Sequence, residues 1–184
     1  MDTLAHGVFG ALLCSRTGLP GVLRGPVDSH GRRLFTDWTF WTAFFFGIFP
    51  DVASLGVHFS LDWISGNGVR WQGIPDFIFI LYDITHSLAG MAVCIGLLLW
   101  WKPRLWLPVL AWPVHVLMDV PTHGHGRFMT PLFWPFSDWG FAGWNWWQFK
   151  GIFYGIWITA GILSLAVLAL RLSWKTPGPG RNPT

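Results

Sequence analysis

The sequence predicts an all-α integral membrane protein of about four transmembrane helices, with a short N-terminal helix and an aromatic-rich interfacial loop. Three observations point there. Of 184 residues, 52% are hydrophobic and only 11% charged; an ordinary soluble domain carries about 25% charged residues, so polar surface is too scarce to cover a globule in water. Four stretches are long and apolar. All nine acidic residues are Asp and none is Glu, as expected where helices have little wet surface.

Each element has its own signal. Leu4 to Cys14 has a helical pattern but is too short to cross a bilayer unaided, which predicts a half-inserted or interfacial helix. The segment lacks the basic start of a signal peptide and reads as retained. Thr39 to Leu61 is apolar, interrupted by Pro50-Asp51. Ile74 to Trp101 forms a long second stretch that contains Asp76, Asp83 and His86, with Pro75 suited to a helix start. Leu105 to Val120 is a short third span ended by Pro121, and Gly151 to Leu170 is a charge-free fourth. The expected organisation is one membrane-embedded helical domain, residues 1–175, and a flexible Pro/Gly tail, 176–184.

The basic residues fit one topology for these four spans. With the C-terminus cytoplasmic, Arg16, Arg24, Arg32, Arg33, Lys102, Arg104, Arg171, Lys175 and Arg181 lie inside, while Arg70, Arg127 and Lys150 lie outside. Nine against three agrees with the positive-inside rule. The loop from Pro121 to Lys150, with Trp134, Trp139, Trp144, Trp146 and Trp147, then falls at the outer interface, as an anchor in membrane lipid or a platform for a lipid substrate. The net charge of +3 is dispersed, with no basic cluster to bind nucleic acid. Cys14 and Cys94 show no ligand spacing and read as free thiols.

The chemistry lies in His115-Val-Leu-Met-Asp119-Val-Pro-Thr-His123. Residues four apart share a helix face, so His115 and Asp119 point the same way, about 6 Å apart along the axis. A charged Asp at a helix centre costs roughly 2.5–3.5 kcal/mol, so unpaired carboxylates at Asp51, Asp83 and Asp119 would approach about 10 kcal/mol. They require partners, water or cations. Asp83 reads as a cap for the helix carrying His86, and Asp51 after Pro50 could serve as a turn or cap. His30 and His58 read as bystanders, while His125 is an alternative to His123 in a pliable segment between Gly124 and Gly126. Mixed His and Asp donors suit zinc or another borderline divalent metal, which makes water a nucleophile near neutral pH. Buried His and Asp also build ion pathways, so a transporter or non-enzymatic metal binder is the alternative. A haem held by His86 and His115 is a third.

Thr3-Leu4-Ala5-His6-Gly7, Phe49-Pro50-Asp51, Thr85-His86-Ser87-Leu88, His115-xxx-Asp119 and Leu132-Phe133-Trp134-Pro135-Phe136 occur in an order that resembles the YdjM-like family of bacterial inner-membrane, metal-dependent hydrolases. The order is also similar, more distantly, to zinc-dependent phospholipase C and P1-type nucleases. The resemblance implies His6, Asp51, His86, His115, Asp119 and His123 as metal ligands, Asp51 as a water-orienting base, and a phosphoester or other lipid-linked ester as substrate. Two departures stand out. Asp51 is followed by Val52-Ala53-Ser54 where the family often has another Asp and a His, and Leu81-Tyr82-Asp83-Ile84 replaces a His-Arg pair. The phospholipases' later His-xxx-Glu is missing, so the resemblance implies one or two ions, zinc or manganese, rather than three.

Overall fold

A computed structural model describes residues 1–24 and 35–173; His30 and the tail 176–184 lie outside the described residues. Among the described residues every regular element is helical.

Helix α1, Thr3–Cys14, starts at Asp2, whose carboxylate accepts from the Leu4 and Ala5 amides and satisfies two of the donors a helix start leaves open. Contrary to the interfacial helix expected from its length, α1 is a core element: Ala5, His6, Phe9, Ala11, Leu12 and Cys14 are all buried. A short helix α2, Leu19–Leu23, follows. Helix α3, Trp38–Asp51, crosses α1 closely, because Gly7, Gly10 and Gly47 have no side chains to separate them. A β-carbon at Gly47 would lie 2.5 Å from the His6 carbonyl oxygen, and one at Gly10 would lie 2.7 Å from that of Ala43. Small residues permit such approach where helices pack in lipid.

Pro50 does not end its helix. It lacks an N–H and crowds the preceding turn, and the chain opens into a π turn, Val52–Gly56, before resuming as α4, Val57–Ile64. The Ser54 hydroxyl donates to the Pro50 carbonyl at 2.8 Å. The whole run Trp38–Ile64 is 27 residues long and apolar enough to cross a membrane.

The expected second span is broken. Helix α5, Asp76–His86, and helix α6, Leu88–Trp101, meet at a 71° bend. Ser87 is extended there (φ −96°, ψ 151°), and its hydroxyl caps α6 through the Gly90 amide. Asp83 lies inside α5 rather than at its start, where Pro75 takes the cap position without a side-chain bond; the capping role expected for Asp83 is thereby corrected.

The expected third span is also absent as a continuous helix. Pro103 and Pro108 each open a 3-10 turn, Pro103–Leu105 and Pro108–Leu110, and α7 covers only Ala111–Thr122. Twelve residues rise about 18 Å, well short of a bilayer's hydrocarbon core. The irregular stretch is buried at Pro108 and Val109, where protein rather than lipid surrounds the backbone. Helix α8, Lys150–Ser173, is long and apolar, and only 11% of its apolar window is buried. Among the described residues, two helices can therefore cross a membrane by length and composition, or three if the bent pair is one span, in place of four.

The aromatic loop has no regular structure between His123 and Phe149. It is pinned near the ends of α5 and α7. Leu88 N–H donates to Leu132 O at 2.9 Å, Tyr82 Oη to Phe128 O at 2.9 Å, and Trp144 N–H to Pro121 O at 2.9 Å.

Candidate metal centre

Three elements bring four polar side chains to one place. The end of α3 supplies Asp51, the end of α5 supplies His86, and one face of α7 supplies His115 and Asp119. One donor atom from each of these four lies within 4.8 Å of the others. His86 Nε2 and His115 Nε2 are 3.2 Å apart. Asp119 Oδ2 stands 3.1 Å from His115 Nε2 and 3.6 Å from His86 Nε2, and Asp51 Oδ1 stands 3.7 Å from both.

The hydrogen bonds around the rings fix what these atoms are. His86 Nδ1 lies 3.0 Å from the Tyr82 carbonyl oxygen, and His115 Nδ1 lies 2.6 Å from that of Gly47. A carbonyl can only accept, so each Nδ1 carries a proton, and in the neutral ring each Nε2 presents a lone pair. Two lone pairs therefore face each other across 3.2 Å, beside two carboxylate oxygens. Asp119 Oδ2 is buried and has no hydrogen-bond partner. Such a cluster is repulsive unless a cation, proton or metal, sits among its members.

Each carboxylate has one oxygen held from behind. Thr3 Oγ1 donates to Asp51 Oδ2 at 2.6 Å. Asp119 Oδ1 accepts from the Met1 amine and from His6 Nε2 at 2.9 Å, and His123 Nδ1 lies 3.2 Å from it. Both second oxygens are thereby turned toward the histidines. His6, its ring stacked on His115 at 3.7 Å, and His123 thus sit behind Asp119 rather than among the four. The Tyr82 ring stacks on His86 at 3.9 Å, and Trp112 Nε1 ties α7 to α5 by donating to Thr85 O at 2.8 Å.

The donor set fits a divalent ion. Ligands about 2.0–2.1 Å from a tetrahedral zinc lie about 3.3 Å from one another; five of the six donor pairs here are 3.1 to 3.7 Å apart, and all lie within 4.8 Å. Two carboxylates match the charge of one such ion, and both histidines have the Nδ1 support that metal-ligating imidazoles use. The same geometry argues against haem, since 3.2 Å between the two Nε2 atoms leaves no gap for a porphyrin.

The other polar candidates are elsewhere. His58 is buried with Asp62 near the end of α4, and its Nε2 lies 2.9 Å from the Arg70 carbonyl oxygen. His125 is exposed in the loop. The residues that orient the centre were not visible as such in the sequence. Thr3 and Thr85 lie inside the recognised motifs and could have been noticed there. Gly47 acts through a backbone carbonyl, which no side chain announces.

Comparison of the chain with protein-family models, with curated proteins and with solved structures finds no match.

Proposed function

We propose that this is a membrane-bound, metal-dependent hydrolase of a phosphoester or other lipid-linked ester, seated in a bacterial inner membrane with its C-terminus in the cytoplasm. The observation that supports it most is the pair of imidazole lone pairs facing each other beside an unpartnered carboxylate oxygen. One divalent ion, zinc by its mixed nitrogen and oxygen donors, would be held by Asp51, His86, His115 and Asp119. His6 and His123 would orient Asp119 and enter the coordination shell only if it rearranged. When bound, the ion supplies the Lewis acidity that makes water nucleophilic near neutral pH.

The chain's own residues divide the remaining work. Asp51 is the one member of the four with appreciable side-chain exposure, 14% against 1% or less for the others, so substrate and water approach from its side. In the hydrolytic state Asp51 Oδ1 would leave the ion to His86, His115 and Asp119, opening a position for water, and would take that water's proton while Thr3 fixes Oδ2. The buried histidines keep other solvent out. The resemblance to the YdjM-like family supports the same reading through its motifs.

Metal analysis of protein purified from membranes tests the centre. About one zinc or manganese per chain is expected, with loss in H115A and D119A variants that remain folded. Folded wild-type protein that takes up no added divalent metal overturns the reading. Metal-dependent flux across liposomes without hydrolysis would instead assign the transporter role.

A further inference from the structure

A second concave site lies beside the metal centre. Gly124, His125, Trp144, Asn145, Gln148 and Phe149 line an open cavity of about 440 Å³, within the range of small-molecule sites, roughly 300–1,000 Å³. Gly143 completes its wall and packs on the backbone that carries the centre. A β-carbon there would lie 2.5 Å from the His123 carbonyl oxygen and 2.6 Å from that of Val120. His123 in turn approaches Asp119 Oδ1 at 3.2 Å. One residue thus separates the cavity wall from the carboxylate of the cluster.

The lining selects a chemical class. Among the described residues no Lys, Arg or Asp borders the cavity, so none of them neutralises a phosphate or a quaternary amine there. The polar groups are two amides and an imidazole, which both donate and accept. Asn145 Oδ1 is engaged by the Gly124 amide at 2.8 Å, and Asn145 Nδ2 donates to Gln148 Oε1 at 3.3 Å. The Gln148 amide nitrogen therefore remains available to a ligand. Trp144 and Phe149 rings, 5.6 Å apart between centroids and both exposed, add apolar faces. A ligand that complements this surface is uncharged, rich in hydroxyls, and has one apolar face. Sugars have those properties. The tryptophan-rich loop also belongs at headgroup depth in a membrane.

We propose that this cavity binds the sugar headgroup of a lipid and thereby presents the neighbouring ester to the metal centre. Sugar binding stands on the cavity alone, whereas the word substrate rests on the hydrolase reading above.

The test uses the full chain in nanodiscs holding equal amounts of monoglucosyl diacylglycerol and phosphatidylglycerol. Native mass spectrometry of the released protein reads the lipid retained. Glucolipid is expected in about tenfold excess, equivalent to about 1.4 kcal/mol. W144A should bring the ratio close to one, and Q148A should lower it several-fold. H86A, deprived of the metal centre, should keep the preference, so a failure of the hydrolase reading leaves this result standing. Equal retention of the two lipids, preference for phosphatidylglycerol, or a glucolipid preference unchanged in both cavity variants overturns the proposal.

Discussion

The chain contains the pattern His-xxx-Asp twice, and the two copies do opposite things. His58 and Asp62 on α4 form one pair, and His115 and Asp119 on α7 form the other; all four residues are buried. Around the first pair every demand is met internally. Arg70 grips Asp62 with Nε and Nη2, both at 3.1 Å, and the Asp62 carboxylate holds the Arg70 guanidinium above its ordinary range. His58 Nε2 is taken up by the Arg70 carbonyl. Around the second pair no Arg or Lys side chain among the described residues arrives, and the Met1 amine reaches only Asp119 Oδ1. A second imidazole and a second carboxylate arrive instead, and Asp119 Oδ2 is left without a partner. Identical spacing thus yields a closed clamp in one place and an open demand for a cation in the other. What separates them is the long-range partner that tertiary structure brings.

The sharpest way to break that contrast is to remove one histidine from each. H86A should fall well below one bound ion per chain, because it removes one of the two nitrogen donors and breaks the four-donor shell, whereas H58A should keep full metal content. Loss of metal from both would mean that the clamp is part of the centre. Next in size, D51N should retain metal yet lower ester turnover by roughly 10²–10⁴, the usual contribution of a general base; unchanged turnover with any hydrolysed ester would remove Asp51 from proton transfer. T3V should weaken metal affinity by about 10–100-fold, as loss of a supporting hydrogen bond does, measured by competition with a chelator of known affinity. G47A should lower stability by about 1–3 kcal/mol through forced overpacking of α1 against α3, read as an earlier unfolding midpoint in denaturant. The smallest effect is expected from R70A. It should loosen the loop that follows α4, seen as faster amide exchange, while metal content stays at the wild-type level.

The pattern and its depth were readable in different measure. His115 and Asp119 are four apart on a helix, so their shared face follows from helical geometry. The helical class and the apolar character of α8 follow from composition in the same direct way. The length of the crossings was less accessible. Hydropathy alone joined Leu105 to Val120 into a span, yet Pro103 and Pro108 convert its approach into 3-10 turns. Hydropathy likewise joined Ile74 to Trp101, where the Ser87 hydroxyl starts a new helix and the bend sets His86 at its elbow. Local capping decided both cases over hydrophobic periodicity. The distinction between the two His-xxx-Asp pairs was out of reach, since it depends on Arg70 folding back on one and His86 arriving at the other.

The burial of α1 has a consequence for how the protein is made. Chains emerge from the ribosome N-terminus first, so α1 appears before α3 and α7, the elements that cover it. Its twelve residues are too few to be inserted as an independent crossing. Its buried face therefore finds its cover only after α3 and α7 have been made, when its glycines meet Gly47. The same packing brings Thr3 to Asp51 and His6 to Asp119. The contacts that orient both carboxylates thus join the first segment of the chain to be made with segments made later.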